Sequence, residues 1–308
     1  MLNLYRRGVL GAAAAPGVEA FARRQGWRFG VGRFVAGETL ADALPALRAL
    51  NDDGRRVIVD VLGEYVRDVD AARTMGVAVA ATVAGLAEAG MTPVVSVKPT
   101  QLGLGLDPAL ARDLAGGVAR AAEQAGGRVC LDMEDHRYVD RTLALLDDVR
   151  ADGAPRTSTV LQAYLHRTPA DLSALLAASP PGSEVRIVKG AYREATDVAL
   201  QDLPRIRRAF VAACETAWRT GARVNVATHD ERLILETTAF ARGAAVAQDR
   251  YELQLLFGVK PALQRRLVAE GHPVRVYVPI GADWYGYFSR RLAERPANAA
   301  VVVRGLFG

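Results

Sequence analysis

The 308-residue sequence predicts an α/β fold, a (β/α)8 TIM-type barrel with N-terminal accessory helices, on three observations. Eight short runs rich in Val and Ile recur along the chain, without the polar alternation of a half-exposed sheet. Longer amphipathic stretches separate them, several ending in Gly as helix C-caps do. The GxGxxG that would follow the first strand of an open dinucleotide-binding sheet is missing, and "GLGLD" at 103–107 has Pro108 where its third Gly would fall.

In chain order, residues 1–55 read as a helical arm and 56–308 as the barrel. The arm carries "GVEAFARRQ" and then "LADALPALRALNDDG", which opens on a capping signal at Glu38-Thr39 and closes on Gly54. The start, "MLNLYRRGVLGAAAAPG", has the basic pair and small apolar run of an export signal. It is poor in Leu and Phe and reads as a retained helix. The strands are "RVIVDVL" (56–62), "TPVVSVK" (92–98), "RVCLDM" (128–133), "STVLQAYL" (158–165), "EVRIVKG" (184–190), "RVNVATH" (223–229), "AAVAQDR" (244–250) and "VRVYVPI" (274–280). No run of ~18 residues is apolar and uncharged, so no membrane span is expected.

Composition narrows the function classes. Half the residues are hydrophobic and 24% are charged, enough to build a sizeable core. The net charge of +5 is mild and no basic run interleaves with aromatics, so a nucleic-acid partner is not expected. Cys130 and Cys214 stand apart without a CxxC and read as reduced core thiols, which suggests the cytoplasm. The four histidines, His136, His166, His229 and His272, make no ligand spacing, so no metal is expected.

In such a barrel, functional groups gather at the C-terminal ends of the strands. Glu64 follows the first strand and Lys98 ends the second. "LDMED" offers Asp132, Glu134 and Asp135, the fourth strand carries Gln162 and Tyr164, and "RIVKGAY" holds Arg186, Lys189 and Tyr192. "ATHD" ends the sixth strand, the seventh continues into "YELQLL", and Tyr277 lies in the eighth. Any one of these can simply cap a helix or pair with a neighbour. Asp135 and Asp230 are expected to cap, Lys260 to be solvated, and Met133 and Cys130 to pack.

Only three of the 39 basic residues are lysines: Lys98, Lys189 and Lys260. Where arginine is the default cation, a lysine at a strand end points to a need for an ammonium. It suits a Schiff base, an anion contact or support of a cofactor.

Taken together, "LGE", "SVKPT", "LDMED", "LQAYLHR", "IVKGAYRE", "NVATHD" and "VYVPIG…YFSRRLAERPAN" resemble the proline dehydrogenase family, across residues 57–298. "VKGAY" with "RRLxERPxN" is the specific part. The resemblance implies an FAD-dependent barrel that oxidises L-proline to Δ1-pyrroline-5-carboxylate and passes electrons to a quinone at the membrane periphery. It implies that Arg290 and Arg291 bind the proline carboxylate, with Lys98 and Asp132 in the same pocket. Tyr192, Leu256 and Tyr277 would pack on the ring, and Glu64 would pair with Arg290 as a gate. For the cofactor it implies Gln162, Arg186, Val188, Lys189, Gly190, Ala191, Thr228 and His229, with Glu294 at a ribose or ribityl hydroxyl. Within the family a Tyr at position 277 goes with proline, and a smaller hydroxyl side chain with hydroxyproline. Pro296 in "RPAN" is expected to end the last helix.

Two arginines and a lysine over-compensate one carboxylate, so acids are expected beside them. The residues alone also fit a Schiff-base aldolase, a flavin-barrel reductase of the methylenetetrahydrofolate type, or a barrel that binds a carboxylate without catalysis. Residues 1–55 are the place for a membrane contact, a cover over the barrel or a contact between copies in a homo-oligomer.

Overall fold

The computed structural model describes residues 8–294, apart from 10, 14, 16 and 29. Eight parallel strands close on themselves in chain order, β1 pairing with both β2 and β8. They are β1 Arg56–Val61, β2 Val94–Val97, β3 Arg128–Leu131, β4 Ser158–Gln162, β5 Glu184–Val188, β6 Arg223–Ala227, β7 Tyr251–Leu256 and β8 Val274–Ile280. Before them come α1 Val18–Gln25 and α2 Leu40–Asp52. The crossovers are α3 Val69–Glu88, α4 Pro108–Gln124, α5 Val139–Ala151, α6 Thr168–Ala178, α7 Leu203–Arg219, α8 Glu231–Gly243 and α9 Pro261–Ala269, and α10 Trp284–Glu294 follows β8.

Local signals set the helix starts. Thr39 caps α2 in a reciprocal box with Asp42, and Asp68, Asp107 and Asp202 cap α3, α4 and α7 with their carboxylates. The crossover helix α3 is long and apolar enough to cross a membrane by length and composition. Its buried residues Ala72, Val79, Val83 and Leu86 form the stripe that covers the barrel.

The expected strands overrun the observed ones at their C-terminal ends. Lys98, Asp132, Lys189, Gly190, Thr228 and His229 all lie just past the ladder. Those runs are apolar and β-rich, but their last residues leave the sheet to enter the loops.

The seventh strand is a correction. It was expected at 244–250 with a continuation into "YELQLL", and only the continuation, Tyr251–Leu256, is strand. In the 244–250 run, Ala244 caps α8, Ala245 turns with φ 51° and Gln248–Arg250 form one turn of 3-10 helix. β7 escapes a hydrophobicity pattern because it buries Glu252 and Gln254 inside the barrel, fully and almost fully. Arg275 of β8 donates to both Glu252 oxygens, at 2.6 and 3.0 Å. Arg56, Arg128, Arg223 and Glu184 extend this charge network across the barrel floor.

The N-terminal segment braces α10. Val31, Phe34 and Val35 form a small core with Leu62, Trp284, Tyr287 and Phe288. The indole nitrogens of Trp27 and Trp284 both donate to Glu38 Oε1 at 2.9 Å. Arg23 reaches the Ala282 carbonyl and Asp283. Helix α10 carries Arg290 and Arg291, so residues 23–38 help fix where those cations stand.

Candidate active site

A column of polar groups rises through the barrel from its floor. Gln254 donates to Glu252 at 3.0 Å and accepts from Arg186 Nε at 2.6 Å. Arg186 Nη1 then donates to Asp132 Oδ1 at 2.7 Å and to Ser96 Oγ at 3.2 Å. Ser96 donates to the same Asp132 oxygen at 2.7 Å. Burial works against an ionised Asp132, but Lys98 and Arg186 outweigh it and hold the carboxyl below its usual range.

Beside this column Lys98 Nζ meets Asp60 Oδ1 and Oδ2 at 3.1 and 2.9 Å and Tyr277 Oη at 3.2 Å. Tyr277 donates to Asp132 Oδ2 at 2.6 Å. Asp60 is fully buried, and burial raises its carboxyl above the usual range against the opposing pull of Lys98. Burial also works to strip Lys98 of its proton, yet Asp60, Tyr277, Asp132 and Glu64 raise it well above its ordinary value. The Tyr277 hydroxyl is likewise raised, by burial first and then by Asp132 and Asp60.

Above the cluster, Arg290 Nη2 donates to Glu64 Oε1 at 2.9 Å, and Lys98 is 3.8 Å from the same oxygen. The Arg291 guanidinium stands over the Tyr287 ring, 5.1 Å from its centre. Adjacent positions on a helix diverge by about 100°. Arginine is long enough that Arg290 and Arg291 nevertheless line one cavity.

That cavity, about 690 Å³, opens at the C-terminal mouth of the barrel. Glu64, Lys98, Asp132, Tyr192, Leu256, Tyr277, Arg290 and Arg291 line it. So do Gln162, Arg186, Val188, Lys189, Gly190, Ala191, Thr228 and His229. The motifs therefore converge on one volume. The side chain of Glu294, and Pro296, fall outside the described residues.

Several details differ from expectation. Asp230 sits at the N-cap of α8 without a side-chain cap bond; its carboxylate instead holds Arg207 at 2.9 Å and faces Lys189 at 3.6 Å. Asp135 does cap, accepting from the Arg137 backbone. Lys260 is not merely solvated, since it donates to the His229 carbonyl and to Glu231. Gly190 has φ 114°, and a Cβ there would meet the Tyr164 ring at 2.2 Å, so packing against Tyr164 already demands glycine. The Leu256 amide donates to His229 Nε2 at 2.9 Å, which leaves the ring proton on Nδ1. Glu134 is fully buried and accepts from Thr100 N and Oγ1. Burial pushes its carboxyl up to about 7 against those two bonds.

Asp60 is not among the residues the motifs point to. Its signal was present in "RVIVDVL": an acid inside a strand buried from Val57 to Val61 must meet a partner. Gln254 and Ser96 carry weaker signals, because a lone neutral polar residue in a strand is common.

The cavity also bears on a cofactor. It is far larger than one amino acid needs, and it extends from the Lys98 cluster over the ends of β4 to β7. Arg186 Nη2 is buried with no hydrogen-bond partner. A cavity of this size bordered by a buried donor suits an extended ligand with an acceptor edge, and the residues fit a flavin.

Comparison with known proteins gives consistent results. Residues 43–304 match the family model described as proline dehydrogenase. A proline dehydrogenase of Deinococcus radiodurans is 39% identical over 308 residues, covering 99% of this chain and 98% of the relative. Proline dehydrogenase 2 of Bacillus subtilis is 37% identical over 285 residues, covering 92% of this chain and 93% of the relative. Among solved structures, proline utilization A of Bdellovibrio bacteriovorus, inactivated by N-propargylglycine, superposes with a TM-score of 0.81 at 21% identity. The match spans 94% of this chain and 36% of that one, and is a likeness of fold.

Proposed function

The chain belongs to the proline dehydrogenase family, and from that premise we propose that it oxidises L-proline to Δ1-pyrroline-5-carboxylate, uses FAD, and delivers the electrons to a membrane quinone. On this reading the protein is cytoplasmic and meets the inner face of the membrane peripherally.

One observation carries the proposal. The cations Lys98, Arg186, Arg290 and Arg291 line the cavity together with the acids Asp60, Glu64 and Asp132. With Lys189, Arg193 and Asp230 the lining holds six cations and four acids, and the carboxylate of an amino acid would take up part of that positive surplus. Arg290 and Arg291 take that carboxylate, because planar guanidinium groups match it at two points. Lys98 and Asp132 complete the pocket floor, and the ring lies among Tyr192, Leu256 and Tyr277. Glu64 holds Arg290 over the closed site.

Bound FAD supplies the acceptor for the hydride that leaves the ring carbon next to nitrogen. Gln162, Val188, Lys189, Gly190, Ala191, Thr228 and His229 would hold it, together with Glu294. Arg186 would offset negative charge developing beside it. The carboxylate anchor and the aromatic walls fix the ring, so that this one carbon is presented for transfer.

The test is a steady-state assay with L-proline and a soluble quinone, with the product trapped chemically. Proline-dependent quinone reduction with stoichiometric pyrroline carboxylate is expected. Reduction of an artificial dye without the quinone would remove the acceptor from the proposal. No proline-dependent reduction of any acceptor would remove the reaction.

Specificity gives a second expectation. Tyr277→Ser should narrow the preference for proline over hydroxyproline several-fold, because shortening the side chain opens the wall at the ring. It should also lower kcat, since the hydroxyl bridging Lys98 and Asp132 is lost. Comparing kcat/KM for the two substrates checks it. An unmoved ratio would show that Tyr277 does not border the substituted ring carbon.

A further inference from the structure

Both oxygens of Asp60 are spent on one partner, and that partner is the central cation of the cluster. We infer that Asp60 is a positioning residue: it fixes Lys98 as an ammonium and thereby sets the direction of the hydrogen bond from Tyr277 to Asp132. This rests on the reaction proposed above, but its main readout does not.

The geometry fixes the proton directions. An ammonium only donates. Lys98 donates to Asp60 at 2.9 and 3.1 Å and to Tyr277 Oη at 3.2 Å. The Tyr277 oxygen therefore accepts from Lys98, and its own proton goes to Asp132 Oδ2 at 2.6 Å. The other Asp132 oxygen is held by Arg186 and Ser96. A neutral Lys98 would carry a lone pair and could accept from Tyr277, turning the hydroxyl proton away from Asp132. The substrate pocket would then lose a cation and a directed hydroxyl together.

Four titratable side chains stand within 4 Å of Lys98, and its charge also reaches Glu134. Asp60 comes from β1, Glu64 follows β1 at 3.8 Å, Asp132 follows β3 at 3.5 Å, and Tyr277 comes from β8. Asp60 is the nearest carboxylate, the only one of the three that is fully buried, and the one whose two oxygens both contact the ammonium. Its side chain is almost wholly inaccessible, at 1% exposure, so it acts through Lys98 and not by touching the substrate. Burial tends to discharge the lysine. Glu64 and Asp132, being farther away, compensate that less well than Asp60 does.

With only three lysines in the chain, the Lys98 side-chain nitrogen can be assigned by NMR, using Lys98→Met as the reference. In the FAD-loaded parent it should stay protonated through the alkaline range. In Asp60→Asn it should titrate at least about one unit lower, a tenfold change in the protonation equilibrium. On proline, kcat of Asp60→Asn should then fall with rising pH where that of the parent is flat. Near neutral pH, where Lys98 keeps its charge in both proteins, the inhibition constant of cyclopentanecarboxylate, which keeps only the anion and the ring, should move less than about threefold. If Asp60→Asn fails to fold, Asp60→Asn/Lys98→Met, which buries no lone charge at this pair, is compared with Lys98→Met. Equal kcat/KM in those two variants supports action through Lys98, and a further tenfold loss in the double variant overturns it. An unchanged Lys98 titration in Asp60→Asn overturns it whether or not the parent oxidises proline. An inactive parent would instead count against the proposed reaction.

Discussion

Arg291→Met raises KM for L-proline by roughly ten- to a hundredfold, the loss of a charge-assisted contact of about 1.5–3 kcal/mol. Methionine keeps the length and apolar stem of the side chain, so packing over Tyr287 is largely preserved and the charge is what disappears. Helix α10 is braced by Trp284 and Phe288 against Val31 and Phe34, none of which lines the cavity, and should not move. The measurement is steady-state kinetics beside a melting curve. A raised KM with an unchanged Tm is the expected pair of results. An unchanged KM would mean that Arg291 does not meet the substrate carboxylate. Arg290→Met would, in addition, leave Glu64 without its 2.9 Å partner, so its effect should extend to kcat.

Glu252→Ala should cost roughly 3–5 kcal/mol of stability, because it strands a buried Arg275 with Arg56 and Arg223 nearby. Burial opposes the Glu252 carboxylate, but Arg275 outweighs it and holds the group at about 2, against an ordinary value of 4.5. The sign follows from that depression. Glu252 contributes stability above pH about 4.5, and the contribution is lost as pH falls toward about 2. The variant should therefore show a shallower acid limb in a plot of unfolding free energy against pH. Adding Arg275→Leu should recover part of the loss, since no lone charge then remains buried at that site. A variant as stable as the parent would show that water already reaches Arg275.

These two predictions address the parts of the molecule that were respectively most and least legible in the sequence. The barrel was legible because parallel strands covered on both faces read as aliphatic runs, and seven of the eight fell where the strands lie. β7 was legible only as the continuation of a misplaced run, for the reason that makes Glu252 costly to remove: a strand that buries Glu and Gln inside the barrel does not look like a core strand. The mouth was legible through motifs, since "VKGAY" and "RRLAERPAN" bring unusual residue types together. Asp60 was hidden by its setting, an acid in an aliphatic run whose partner Lys98 lies 38 positions away. The bracing of α10 by residues 23–38 was also invisible, because Arg23, Trp27 and Glu38 act through contacts about 250 residues distant that no local pattern encodes.

The central claim is that this cavity holds FAD and presents proline to it. An anaerobic titration of the FAD-reconstituted protein with L-proline, followed by flavin absorbance, tests it most directly. Proline should bleach the flavin stoichiometrically, and the Arg291→Met protein should bleach only at much higher proline. A colourless protein that takes up no FAD, or a bound flavin that keeps its colour in saturating proline, would contradict it.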